Sequence, residues 1–574
     1  MKTFTVRFAQ LALVALSSVA FGPRAAAQTA PAWTSARGTG AYLSPYTRRV
    51  TDAQGNVYEA ATFNPQTGVG RTTLTSRGSY DGYLAKYTPL GAVAWVRQFG
   101  STGSDGADDM ALDAAGNVYV VGHFQGTIDM GSGQNLSAGN NYAGSKAFVA
   151  RYDAQGNLAW AKQSDNVAND PAYPACPPVV LATGVTVDGA GNVFVTGGHV
   201  YSRGISFDGQ LVVPSTTVAA PYTTYLARFS AATGDVQSIN NIFYSDRSTG
   251  AGVIYPLRLV SAPGGGVYVV TNLYMAASFP AGPTFPSPSS VNLMAMKYNA
   301  AGTLEWARTF GGPDFDDITG AAADAAGNLY LTGTFRQSFS FGGSTLAGAT
   351  ATAGTEDGFL LRFSAQGTEE WARSLVSAGS DFLTAVCVDG GGNAYVTGSF
   401  GNQARLGTLT LTSAGRSDLL VASYSPQGQL RWVQQAGGPD DERGLGLSFL
   451  AQGGLQVYGY ACYGVAFGAI ALPGQGSYLG FIAQLDASAT TLAAATARPL
   501  PQGLFPNPAS DGVYLPGLAP GTLVQVVDAT GRVARTATVS AAAAVSVRGL
   551  APGLYVLRIT DRQGQTYAAR VAVE

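Results

Sequence analysis

Histidine is nearly absent: the 574-residue chain has two, His123 and His199. A Ser-His-Asp triad or a His-rich metal site has little to draw on. Both histidines fall at or just past the end of an apolar run (Val121-Gly122-His123-Phe124 and Gly197-Gly198-His199), where packing or hydrogen bonding explains them better than ligation. Cysteine is scarce too. Of three, Cys387 reads as a small core residue in an apolar run, which leaves one conceivable bridge, Cys176 to Cys462. Charged residues make up only 12% and the formal net charge is -2, which argues against nucleic acid or an anionic membrane as a bulk electrostatic partner. No glycine-rich phosphate loop stands between a strand and a helix, no Asp-x-Asp-x-Asp-Gly calcium loop occurs, and helical periodicity is missing throughout. Hydrophobic residues nevertheless make up 46%, enough for a large folded core.

What is present is one stretch written seven times. Its clearest copy runs Trp306-Ala307-Arg308-Thr309-Phe310-Gly311-Gly312, then Asp316, then Asp324-Ala325-Ala326-Gly327-Asn328-Leu329-Tyr330-Leu331-Thr332-Gly333. The Gly-Asn core recurs at Asn56, Asn117, Asn192, Asn328 and Asn393, with degenerate copies at Gly266 and Gly454. All six tryptophans (Trp33, Trp95, Trp160, Trp306, Trp371 and Trp432) precede a copy, and Gln237 stands in that place for the fourth. A period above sixty residues marks a repeated supersecondary unit, not a helical solenoid.

Inside a unit the periodicity is that of strands. Residues 318–323, 329–335, 358–363 and 369–373 read as four strands, here a to d, with Asp-Ala-Ala-Gly-Asn and Ser-Ala-Gln-Gly turns between a and b and between c and d. A four-stranded sheet apolar on both faces must be covered on both faces. Seven such sheets stacked round an axis achieve this with few exposed edges, which predicts an all-β, seven-bladed β-propeller of four-stranded blades. Trp33 arrives with no preceding a, b or c strand, and the last unit lacks a d strand. The N-terminal strand is therefore expected to close the last blade. The repeat resembles the bacterial seven-bladed β-propeller repeat (SBBP) family over roughly residues 29–490, which implies a secreted or surface protein and no single chemistry.

Composition shifts after Asp486. Residues 487–500 read as a linker, and 501–574 as a small immunoglobulin-like β-sandwich. Phe505-Pro506-Asn507-Pro508, Asp528 to Arg532 and Leu550-Ala551-Pro552-Gly553-Leu554-Tyr555 resemble the type A C-terminal sorting domain of the type IX secretion system. Arg570 stands where that family more often has lysine. The resemblance implies the type IX secretion machinery as a partner, with Pro506, Asn507, Pro508, Gly553 and Tyr555 in the sorting signal. Release from the cell or attachment to its surface would follow. At the other end Lys2 and Arg7, the apolar Phe8 to Phe21 and Ala25-Ala26-Ala27 have the grammar of a signal peptide over 1–27, so the propeller is expected to span 28–486 with no transmembrane segment.

In an up-and-down blade the tight a–b and c–d turns share one face. The longer connections (163–180, 200–222, 272–290, 336–356 and 401–416) share the other, where function tends to sit. Ten residues after the tryptophan position lie Asp105, Asp170, Asp316, Asp381 and Glu442, with further acids at Asp108, Asp109, Asp314, Asp317, Asp440 and Asp441. As an acidic rim they would bind a glycan, a surface protein or a cation; as turn residues they would accept backbone N–H bonds of their own d–a connection, and their recurrence at one place favours that role. No cofactor is expected; calcium has room on such a rim but no motif to support it. A basic set, Lys86, Arg151, Arg228, Lys297 and Arg362 on strand c with Arg97, Lys162, Arg308 and Arg373 on strand d, is expected to protect outer edges and lie over the tryptophans. The expectation is a non-enzymatic binding or scaffold protein at or beyond the cell surface. The alternative is an extracellular carbohydrate-active enzyme with paired acids in the propeller mouth.

Overall fold

The computed structural model describes residues 30–574 except 43–46, 140–143, 166, 169–174, 213–221, 246–255, 275, 281, 287–289, 349–353, 452–453, 463, 473–478, 487–497, 500–503, 528–532 and 561–565. The expected signal peptide and most of the expected linker lie outside the described residues. Among those described none is helical, and the architecture is all-β. All three cysteines are free.

The fifth unit shows how the sequence builds its sheet. Strands Asp316–Ala323, Leu329–Phe335, Asp357–Phe363 and Glu369–Val376 pair antiparallel in the order a-b-c-d. Between a and b, Asp324 organises the turn: Oδ1 accepts the N–H groups of Ala326 and Asn328, and Oδ2 accepts the Asn328 amide at 2.7 Å. Gly327, at φ +83°, supplies the left-handed residue the turn needs. Aspartates 52, 113, 188 and 389 repeat this set of bonds. Six further units follow the same order. Their first strands are Arg48–Thr51, Gly106–Leu112, Val179–Val187, Pro256–Ala262, Phe382–Val388 and Arg443–Phe449. In the seventh unit the fourth strand is Trp33–Tyr42, which pairs antiparallel with Leu479–Leu485 in the register Trp33 to Leu485 and Ala36 to Ala483. Each first strand lies against the next along the chain, and Arg443–Phe449 lies against Arg48–Thr51.

The repeat motifs are the fastenings between neighbouring units. Four of the six d-strand tryptophans reach the c–d turn of the next unit: indole nitrogens of Trp95, Trp160, Trp306 and Trp371 donate to the carbonyls of Ala154, Ala231, Ala365 and Pro426 at 2.9–3.2 Å. The rings lie so close to Gly156, Gly234, Gly367 and Gly428 that a Cβ there would come within about 2.7 Å of the indole. Residues of the basic set grip the same turns, as Arg97 does the Gly156 carbonyl, Arg308 that of Gly367 and Arg228 that of Ala300. Arg97 and Arg373 also lie over Trp95 and Trp371, with 5.7 and 5.4 Å to the ring centroids. In the third unit the residue facing Arg228 is Ser238, one place beyond Gln237, because its c–d turn, from Phe229 to Val236, is one residue longer than that from Phe363 to Glu369. On the same face of the sheet, Tyr58 and Tyr330 pack edge-on against Trp95 and Trp371 and reach the next unit's a–b turn at the carbonyls of Gly116 and Gly392.

The Thr-Gly pair of strand b also has a physical cause. Six first strands carry a β-bulge opposite it, with Asp108, Thr183, Leu257, Thr319, Thr384 and Leu445 as the extra residues. The bulge drives a carbonyl onto the strand-b glycine: a Cβ on Gly122, Gly197, Gly333, Gly398 or Gly459 would sit 1.8–2.1 Å from that oxygen.

The longer connections differ from open loops. In all seven units the b–c excursion forms an antiparallel two-stranded hairpin, from Gln66–Val69 with Thr72–Thr75 to Ala466–Phe467 with Ile470–Ala471. Several pair with the end of the previous unit's d strand, through Ser164 to Phe207, Gly311 to Ser340 and Gly437 to Ala466. Phe339 and Phe341 are buried against Phe310, Phe359 and Phe363, so this hairpin is core.

Beyond residue 498 lies a separate core. Leu523–Val527, Val533–Thr538, Gly553–Thr560 and Thr566–Val573 belong to one sheet, and Gly512–Tyr514 pairs with Ala544–Ser546 in another. Val524, Val526, Leu557, Ile559 and Val571 are buried between them.

Candidate functional site

The acids expected on a rim are built into the wall. Asp105, Asp316, Asp381 and Glu442 are all fully buried. Each holds its own d–a turn: Asp105 accepts the Ser101 hydroxyl at 2.8 Å, Asp316 the Gly312 N–H at 2.6 Å, Asp381 the Ser377 hydroxyl at 2.9 Å and Glu442 the Gly438 N–H at 2.7 Å. Burial pushes the carboxyls of Asp316, Asp381 and Glu442 up to about 7, and that of Asp105 upward. Asp170 lies outside the described residues. Its counterpart by geometry is not an acid: Val180 bonds the Ser145 carbonyl as Asp105 bonds that of Tyr80. The insertion between strands d and a makes a fixed offset from tryptophan point to the wrong residue.

His123 pairs with Asp108 at 2.7 Å, and His199 with the Ser202 hydroxyl at 2.9 Å. Among the described residues, no three His, Cys, Asp or Glu side chains form a metal-ligand group.

A cavity of about 730 Å³ lies where the seven first strands converge, and every unit contributes to its lining. None of the four buried turn acids reaches it. Just after the bulge, one residue of each first strand faces the strand-b residue that precedes the glycine or its counterpart. In units three, five, six and seven this residue is Gly184, Gly320, Ala385 and Gly446. In units one, two and four it is Arg48, Asp109 and Arg258. Four small residues open space and three charged ones line it.

These charges are anchored to the wall from behind. Arg48 Nε donates to the Asp108 carbonyl at 3.3 Å, and Arg258 Nη2 to the Thr319 carbonyl at 2.8 Å. Asp109 Oδ2 accepts the Val185 N–H at 3.0 Å; Asp317, nearby in unit five, accepts the Asn272 amide at 2.6 Å. Burial, with Arg48 close by, lowers the Arg258 guanidinium to about 10 against the pull of Asp109 and Asp317, and burial raises the Asp109 carboxyl. Asp109 and Asp317 are visible in the sequence as part of an acid cluster. Arg48 and Arg258 are not, because each occurs once and aligning repeats discards singletons.

In the C-terminal core, Asn507 Oδ1 accepts the Ala572 N–H at 2.8 Å, and Tyr555 donates to the Ala551 carbonyl at 2.8 Å. The Pro506-Asn507-Pro508 segment thus lies against the last strand. Residues 503–574 match the family model of the secretion system C-terminal sorting domain. This type IX sorting domain points to export to the cell surface or extracellular space. No helix among the described residues is long and apolar enough to cross a membrane.

Elsewhere the likenesses are distant. An uncharacterized WD repeat-containing protein of Acanthamoeba polyphaga mimivirus is 26% identical over 140 residues, which is 24% of this chain and 9% of that protein. Among solved structures, a puromycin hydrolase is 13% identical with a TM-score of 0.39, covering 93% of this chain and 61% of its own. An ulvan lyase is 11% identical with a TM-score of 0.35, covering 74% and 93%. A protein of unknown function from Bacteroides caccae is 12% identical with a TM-score of 0.24, covering 55% and 89%. Likeness at this level carries no argument about what the chain does.

Proposed function

We propose that the chain is a secreted, closed seven-bladed β-propeller of SBBP type, exported by type IX secretion through a small β-sandwich at 501–574. It acts as a non-enzymatic binding or scaffold module at or beyond the cell surface. The signal peptide over 1–27 and the linker over 487–500 complete this organisation. One observation carries the architecture: seven first strands line a single cavity, and the strand that completes the seventh sheet comes from the opposite end of the chain. The binding role is supported by the fate of the acids. The recurrent carboxylates that a hydrolytic enzyme would use in pairs are spent on their own turns, whereas the charged groups of the cavity occur once each and face a common space.

Two experiments test it. Removing residues 503–574 should leave the protein inside a type IX-competent host; undiminished export would refute the proposed route. The full chain should leave a polysaccharide library unchanged, and turnover that disappears in Asp316→Ala and Asp381→Ala would overturn the non-enzymatic role.

A further inference from the structure

We infer that the central cavity is a binding site for a singly charged, hydroxyl-rich anion, of which a sugar acid is the simplest form. The inference rests on the closed arrangement proposed above and adds the ligand's chemistry. At the level just past the bulge the seven positions read Arg48, Asp109, Gly184, Arg258, Gly320, Ala385 and Gly446. Structural need does not explain this alternation, since glycine or alanine suffices in four units. Two guanidiniums face one carboxylate at this level, and Asp317 brings these cavity groups to no net charge, so the fit to an anion rests on the Arg48 fork and not on excess charge. A carboxylate fits a guanidinium fork through paired hydrogen bonds.

The donors are available. Arg48 uses Nε on the wall, and its two Nη nitrogens have no hydrogen-bond partner among the described residues. Asp109 and Asp317 line the same cavity and are the acceptors that a ligand hydroxyl would meet there. The same two aspartates disfavour phosphate, whose second charge would face them. Val386 and Leu447 line the cavity from units six and seven and offer an apolar edge to the face of a sugar ring. A volume of about 730 Å³ is ample for one or two sugar units.

Calorimetric titration of the full chain with glucuronate, glucose and inorganic phosphate tests this. Glucuronate should bind saturably, at least tenfold more tightly than glucose or phosphate. Arg48→Gln should weaken it at least tenfold, and Arg48→Lys less, with the melting temperature of each variant close to that of the parent. Equal affinity for glucose, tighter binding of phosphate, or unchanged affinity in Arg48→Gln would overturn the assignment. Absence of glucuronate binding in a chain whose two ends are shown to pair would sink the ligand class and leave the architecture standing. Failure of that pairing would remove the cavity itself.

Discussion

Tyr458 donates its phenolic hydrogen to the backbone carbonyl of Arg49 at 2.6 Å, across 409 residues of sequence. The bond joins the second strand of the seventh unit to the first strand of the first. Arg49 is itself buried in a pair with Glu59, whose other oxygen accepts the hydroxyls of Tyr83 and Tyr87. Among the described residues no other unit repeats this group. Where the chain's ends meet, a specific polar network supplements the repeated fastenings. Tyr458→Phe removes one buried hydrogen bond and should cost about 1 kcal/mol, read as a lower urea midpoint with an unchanged slope.

The tryptophans make a sharper comparison. Trp306 donates to Ala365, whereas the indole nitrogen of the buried Trp432 has no partner among the described residues. No c–d turn stands there to receive it, because strands c and d of the seventh unit, Leu479–Leu485 and Trp33–Tyr42, are far apart in the chain. Trp306→Phe and Trp432→Phe remove the same volume, so the first should be less stable by about 1 kcal/mol in denaturant melts. Equal losses would show that the indole bond contributes nothing.

Strand-b glycines are predicted to be intolerant for a reason distinct from backbone flexibility. A Cβ at Gly398 would lie 1.8 Å from the Phe382 carbonyl, whereas one at Gly390 meets nothing within 4 Å. Gly398→Ala should cost about 3 kcal/mol or abolish soluble expression; Gly390→Ala should change stability by less than about 1 kcal/mol. Thermal unfolding of the two variants decides it.

Acid-side stability has an unusual sign. Asp316, Asp381 and Glu442 hold their protons up to about 7 when folded, against ordinary values of 3.8, 3.8 and 4.5. The folded state therefore binds more protons between roughly pH 4 and 7, and this stabilisation is lost as pH rises through 7. His199, lowered to about 4 by burial, opposes the trend below 6.5, one group against three. The melting temperature should fall from pH 5 to pH 8, and Asp316→Asn should flatten that fall. A rise over the same range would contradict the assigned burial effects.

Much of the unit was legible because each motif solves a local problem. The Asp324 turn, the Trp306 outer strand and the unmatched strand at Trp33 follow from turn chemistry and strand counting. The C-terminal strands from Gly553 and Thr566 follow from their flanking turns. What sequence spacing hides is register. The insertion before Val180 moves the turn position away from Asp170, and a bulge at Thr319 is invisible to a two-residue period. The cavity was hidden for another cause: Arg48 and Arg258 break the repeat at a level where other units carry glycine or alanine. Aligning copies emphasises shared structure and averages away the positions that differ.

The closed arrangement depends most on the pairing of Trp33–Tyr42 with Leu479–Leu485. Ser35 and Gln484 face each other across the pair formed by Trp33–Tyr42 and Leu479–Leu485. With Ser35→Cys and Gln484→Cys introduced together, mild oxidation and peptide mass spectrometry should recover one linked peptide joining these two sites. Linkage should also raise the melting temperature, since it closes a loop of more than four hundred residues. Both thiols remaining free under oxidising conditions that leave the fold intact would contradict the closed arrangement.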